Sequence, residues 1–223
     1  MLKIASLTFN PIQENTYVVW DDTLECSVVD AGNSTPRENA ALQEFIERNG
    51  LKPVLAVNTH GHFAPTLGVE FLKQTYGIPF ALSAKDAFLL AGAALSGGIY
   101  GVHVGKMPSI DLDLDGQAEI RFGHTVLQVI PTPGHTPGHV SLYEPTDGSL
   151  STGDTQSRES IGRTDLPGGD YSWIMRSILE RLVPLGDRVR VYPGHGPETT
   201  IGHETLYNPF IVEVLNNEVN YKG

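Results

Sequence analysis

Four turns constrain this chain more than any other feature of its sequence. Each follows a short run rich in β-branched or other apolar residues, contains Gly or Pro, and delivers a His or an Asp. They are Asn58-Thr59-His60-Gly61-His62 after VLAV, Pro133-Gly134-His135 after VLQVIPT, Thr152-Gly153-Asp154 after GSLS, and Pro193-Gly194-His195 after VRVY. A side chain set just past a strand end by a rigid turn can be aimed by the sheet at a fixed point. Four such turns delivering imidazole or carboxylate point to a metal.

Strand-like runs cover 15–20, 26–31, 54–59, 78–83, 119–123, 125–130, 139–144, 148–152 and 189–194, while apolar residues at helical spacing predict helices over about 36–49, 67–76, 85–94 and 173–182. Gly50 and Gly77 stand where left-handed helix caps are expected. Early strands read as hairpins and later ones as joined through helices. We therefore expect an α/β fold with a mixed sheet covered by helices on at least one face. No linker, low-complexity tract or fixed-period repeat interrupts the chain, so a single domain over residues 1–223 is expected. The Gly-rich stretch SGGIYGVHVG (96–105) reads as an irregular loop without phosphate-cradle spacing.

Composition narrows the function classes. At 40% hydrophobic and 18% charged, the chain has ordinary globular usage, and its formal charge of −11 disfavours nucleic acid or an anionic membrane as partner. No apolar run reaches the roughly 18 residues of a membrane helix, and the start MLKIASLTFN has no signal-peptide pattern; a soluble, cytoplasmic protein acting on a small-molecule substrate is expected. The single cysteine, Cys26, lies in the strand-like run ECSVVD and reads as a buried structural thiol.

Two imidazoles one residue apart on an extended turn can point the same way and bind one cation, and a third His from another loop completes a three-nitrogen set with an open position. His60, His62 and His135 fit that description, with Asp154 and His195 delivered in the same manner.

The segments THGH (59–62), TPGHTPGH (132–139), TGDT (152–155), IGRTDLPGGD (161–170) and YPGHGPETT (192–200) resemble the metallo-β-lactamase superfamily, nearest to its small glyoxalase-II-like hydrolases. The resemblance runs over nearly the whole chain in the right order. It implies an αββα sandwich of mixed sheets flanked by helices, with the metal site at one edge between the sheets. It also implies that His60, His62 and His135 hold a first metal, that Asp154 bridges two metals, and that His195 binds the second. The family's opening motif reads His-x-His-x-Asp-His, but Ala64 and Pro65 stand at the last two positions here. Neither side chain can ligate. Since the second site keeps only Asp154 and His195, one ion per chain is expected, zinc first, with iron or manganese as alternatives.

The resemblance implies a metal-dependent hydrolase of thioesters or related acyl compounds using a metal-bound water. With the second ion lost, Asp154 is expected to act as a fourth ligand or as a catalytic acid/base and His195 as a hydrogen-bond donor behind the ligands or a proton-transfer residue, while Arg163 of IGRTD braces its loop through Asp165 or meets an anionic substrate. The helical C-terminal region with which full-length relatives grip glutathione is not expected, since 28 residues follow His195. A mononuclear iron centre on His60, His135 and Asp154, as in the superfamily's sulfur dioxygenases, is the first alternative. A scaffold whose native activity is lost, natural or engineered, is the second. The polar run Ser151, Gln156 and Ser157 predicts a wetter pocket beside Asp154 or an exposed loop. His139 reads as a core histidine, and His103, His124 and His203 as loop or surface residues. Tyr207, Asn208 and Pro209 are expected to dock the last helix.

Overall fold

Residues 14–19 are buried on both faces of their strand. Val18 packs among Leu42, Ile46 and Leu72 on one side, whereas Tyr17 and Val19 pack among Leu127, Val129 and Leu142 on the other. A strand hidden on both faces belongs to a sheet covered on both sides, and the computed structural model, which describes residues 1–221, has that layering.

The first sheet has six strands in sequential order. Strands β1 (Lys3–Phe9), β2 (Glu14–Trp20) and β3 (Glu25–Val29) form an antiparallel meander. Helix α1 (Pro36–Arg48) then leads to β4 (Lys52–Val57), α2 (Val69–Tyr76) to β5 (Phe80–Leu82), and α3 (Ala87–Ala91) with α4 (Ala93–Ile99) to β6 (Leu112–Asp113); these three strands pair in parallel. The second sheet comprises the meander β7 (Glu119–Phe122), β8 (Thr125–Pro131), β9 (Val140–Glu144) and β10 (Ser149–Gly153). A small hairpin, β11 (Gln156–Ser157) with β12 (Ser160–Ile161), and helix α5 (Tyr171–Ser177) follow. Strand β13 (Arg190–Pro193) then lies parallel to β10, and β14 (Thr199–Thr200) closes that edge before α6 (Ile201–Tyr207) and α7 (Pro209–Tyr221). Helices α1 and α2 cover the first sheet, α5 to α7 cover the second, and a third apolar cluster fills the space between the sheets. This is the expected αββα arrangement.

Local chemistry explains the element ends. Thr35 accepts from the Glu38 amide with Pro36 at the first helical position, and Asp170 accepts from the Trp173 amide. Gly50 and Gly77 take φ +63° and +65°, the left-handed caps anticipated from sequence. The predicted hairpin-then-helix order runs once through each sheet and not once along the chain, since the meander β7 to β10 is likewise followed by a helix and a parallel strand, β13. The Gly-rich stretch also differs from expectation, because Ser96–Ile99 belong to α4. A Cβ at Gly97 would lie 2.3 Å from the Val104 side chain, so the glycine serves the close passage of the following segment against the helix.

Cys26 is buried, and burial pushes its thiol up to about 12, in keeping with a structural role. No helix of the described residues is long and apolar enough to cross a membrane.

Candidate metal centre

The turn that follows β4 is fixed before it presents its histidines. Asp30, at the end of β3, accepts the Thr59 amide at 2.8 Å and the Thr59 hydroxyl at 2.9 Å. The Thr59 hydroxyl, its proton committed to Asp30, faces His60 Nδ1 at 3.0 Å and accepts from it. His60 thus keeps its Nε2 lone pair, and Nε2 is buried without a hydrogen-bond partner among the described residues. His135 is set the same way, because its Nδ1 donates to the Arg163 carbonyl at 2.8 Å and leaves Nε2 free. That Nε2 lies 3.0 Å from His62 Nδ1. Ligating nitrogens of His60, His62 and His135 all fall within 4.8 Å of one another.

One carboxylate holds the two histidine-bearing loops together. Asp86 accepts the Gly61 amide at 2.9 Å, the Thr136 hydroxyl at 2.7 Å and the Gly138 amide at 2.7 Å. The first partner flanks His60 and His62, and the others flank His135.

Asp154 faces two ways. Its Oδ2 lies 3.6 Å from His60 Nε2 and 3.5 Å from His135 Nε2, while Oδ1 accepts from His195 Nδ1 at 2.8 Å. The approach depends on Gly194, where a Cβ would stand 2.5 Å from Asp154 Oδ1. Beyond His195 lies Glu14, the first residue of β2, whose Oε2 is 3.5 Å from His195 Nε2. Glu14, Asp154 and His195 form a second group of donor atoms within 4.8 Å of one another.

Burial keeps the imidazoles in their ligand form. It pushes His60 well below the usual range, and it brings His62 down to about 4 with help from His135. Burial alone would raise the Asp154 carboxyl, but the His195 hydrogen bond and the charges of His60, His195 and His135 hold it far below the ordinary value. His195 itself is raised, because the bond and charge of Asp154 outweigh desolvation. Burial, then the charges of Asp154 and Asp30, push Glu14 upward.

The other residues named from sequence fall as follows. His139 stacks on His60 and is buried, its Nδ1 facing the Thr132 and Thr155 hydroxyls and its Nε2 accepting the Asp154 amide. That is a core histidine with both nitrogens satisfied. The Arg163 guanidinium makes two bonds to Asp165, at 2.7 and 2.8 Å, and one to the Tyr100 hydroxyl. Its contact with the metal ligands runs through its backbone carbonyl. Gln156 is fully buried and Ser151 and Ser157 are half-buried, so the polar run is not an exposed loop. Of the final motif, Asn208 is buried and bonds the Ser160 carbonyl and Glu204, while Tyr207 is exposed. His103 and His124 are exposed, and His203 pairs with Glu159 at 2.9 Å.

Ala64 and Pro65 sit in a short 3-10 turn held by backbone contacts. Asn10 donates to the Ala64 carbonyl and Asn58 to that of Pro65, and Ala64 packs with Phe63, Ala93 and Val102. The turn keeps its shape with no ligand at either position.

Sequence reading passed over Asp30, Asp86 and Glu14. In the run CSVVDAG an Asp directly follows the strand and precedes a Gly, a looser relative of the ligand turns, in which the Gly comes before the donor; Asp30 therefore carried a partial signal. Glu14 carried a weaker signal, an acid opening an apolar strand. Asp86 carried none.

The Metallo-beta-lactamase superfamily matches residues 9–195. The hydroxyacylglutathione hydrolase GloC of Haemophilus influenzae is 31% identical over 94% of this chain and 98% of its own. Among solved structures, the BLEG-1 B3 metallo-beta-lactamase shares 35% identity with a TM-score of 0.86, covering 95% of this chain and 99% of that one. TTHA1623 in a di-iron-bound form shares 35% with a TM-score of 0.83, covering 92% and 99%. The chain belongs to the metallo-beta-lactamase superfamily. Relatives named probable metallo-hydrolase and hydroxyacylglutathione hydrolase support a glyoxalase-II-like member of that superfamily.

Proposed function

We propose that this protein is a metal-dependent hydrolase of thioesters or related acyl compounds, with zinc as the ion on His60, His62 and His135. The observation that carries the reading is the convergence of three imidazole nitrogens with the buried His60 Nε2 lacking any other partner. Such a donor set fits zinc, and the ion supplies Lewis acidity and a hydroxide near neutral pH. The Thr59 hydroxyl and the Arg163 carbonyl fix the His60 and His135 rings with their Nε2 lone pairs toward the ion. Asp154 Oδ2 stands beside both as the carboxylate that orients the attacking water. His195 holds a proton at Nδ1 against Asp154 Oδ1, ready for the departing group. Arg163 uses three of the guanidinium's five donors on Asp165 and Tyr100, leaving two for an anionic substrate.

The test is hydrolysis of an acyl-glutathione by zinc-loaded protein. Turnover that disappears on chelation, returns with zinc and is lost in His135→Ala is expected. Turnover indifferent to chelation overturns the reading.

The placement of Asp154 Oδ2 near His60 Nε2 and His135 Nε2 also suits a two-histidine, one-carboxylate iron centre. Iron copurifying with thiol-dependent oxygen consumption, and no thioester cleavage, would favour that second reading.

A further inference from the structure

Glu14 is fully buried, and neither carboxylate oxygen has a hydrogen-bond partner among the described residues. The nearest cationic group is His195, whose Nε2 is likewise buried and without a hydrogen-bond partner there. On the other side of His195 stands Asp154, whose Oδ2 is already turned toward the three histidines. Asp30 is buried in the same neighbourhood. Asp30 and Asp154 have hydrogen-bond donors, but a carboxylate such as Glu14, out of water beside two others with no donor of its own, is expensive, and the common remedies are paired charges or a metal ion.

We propose that Glu14, Asp154 and His195 form a second divalent-cation site, in which the Glu14 carboxylate offsets the donors absent at Ala64 and Pro65. Their donor atoms fall within 4.8 Å of one another, a span one ion can bridge. Gly194 clears the ground: a Cβ there would lie 2.5 Å from Asp154 Oδ1 and 3.2 Å from Glu14 Oε1, between the two carboxylates. Sequence alone leaves this site two ligands and predicts one ion per chain; the fold brings a third from a strand 140 positions before Asp154. Two carboxylates and one imidazole form a harder donor set than three imidazoles, so the second site favours manganese(II) or iron(II) where the first favours zinc. The proposal rests on the metallo-hydrolase reading to the extent that Asp154 is shared between the two sites.

Manganese(II) is the probe. Chelator-stripped full-length protein is dialysed against it, bound metal is counted by elemental analysis, and the electron paramagnetic resonance spectrum is recorded. Two ions per chain with the spectrum of an exchange-coupled pair are expected for the native protein. Glu14→Gln keeps the shape and removes a buried charge, and His195→Asn changes a half-buried turn residue; each should bind one ion with an uncoupled spectrum. A native protein that binds one ion, its His195 imidazolium standing between the carboxylates instead, overturns the proposal. So does a Glu14→Gln protein, folded by its melting curve, that still binds a coupled pair. A single ion lost in His135→Ala but indifferent to Glu14→Gln would overturn this site while leaving the three-histidine site intact. No ion on the native protein would overturn both.

Discussion

Asp86 touches no substrate and is three residues beyond the predicted strand at 78–83, yet both loops that carry the three histidines depend on it. Truncation to alanine leaves two backbone N–H groups and one hydroxyl, those of Gly61, Gly138 and Thr136, without their acceptor. Each buried donor so orphaned costs about 1–3 kcal/mol, and water entering the shortened site recovers part of it, so a net loss of about 4 kcal/mol is expected. For a chain of this size that corresponds to a melting temperature lower by about 8–16 °C. Gly61 lies between His60 and His62, and Thr136 follows His135, so the donor triangle should also loosen, with zinc affinity falling about 10–100-fold. Thermal and urea melts of the metal-free protein measure the first effect, and competition for zinc against a chromophoric chelator measures the second. Asp86→Asn keeps one carbonyl acceptor and should lie between. An Asp86→Ala protein with metal-free stability within about 1 kcal/mol of native and unchanged zinc affinity would refute the assignment of Asp86 as the clamp between the loops.

His139 provides a test of pH dependence. Burial brings its folded value down to about 3, below the roughly 6.5 of an exposed histidine, so only the unfolded chain takes up this proton between the two. As pH falls from 6.5 the native protein loses about 1.4 kcal/mol per unit through this residue, and His139→Gln does not. The stability gap between metal-free native protein and variant should therefore narrow by about 2–3 kcal/mol from pH 6.5 to 4.5 in urea titrations, and a constant or widening gap would count against a neutral buried imidazole. Restoring Ala64→Asp and Pro65→His together adds two donors to the turn after β4. Calorimetric titration should show tighter binding of the second ion and thioester assays faster turnover, and no change in either would count against the view that these positions are lost ligands.

What sequence could reveal depended on how local each signal was. His60, His62, His135, Asp154 and His195 were legible because each is delivered by a turn a few residues long, and the turn and the donor occur together in the sequence. The full layering was not read from the strands, which gave a mixed sheet covered on at least one face; the αββα sandwich came from the family resemblance, although runs such as VLAV and YVVW, apolar without alternation, are consistent with burial on both faces. Strand β1 escaped notice because KIASLTF mixes exposed and half-buried residues along an edge, where the pattern is weak. Asp86 was invisible as a site residue and Glu14 nearly so, because their importance arises from what the fold brings beside them, two amides and a hydroxyl in one case, Asp154 and His195 in the other. The same blindness affects the reading of loss at Ala64 and Pro65. A motif counts donors along the chain, but a metal counts donors in space, and Glu14 enters that count only when β2 has been threaded between two layers and its first residue turned toward the loop that follows β13. The number of ions this chain binds is therefore a property of its tertiary packing, and substitution at Glu14 should change it while the His-x-His motif stays intact.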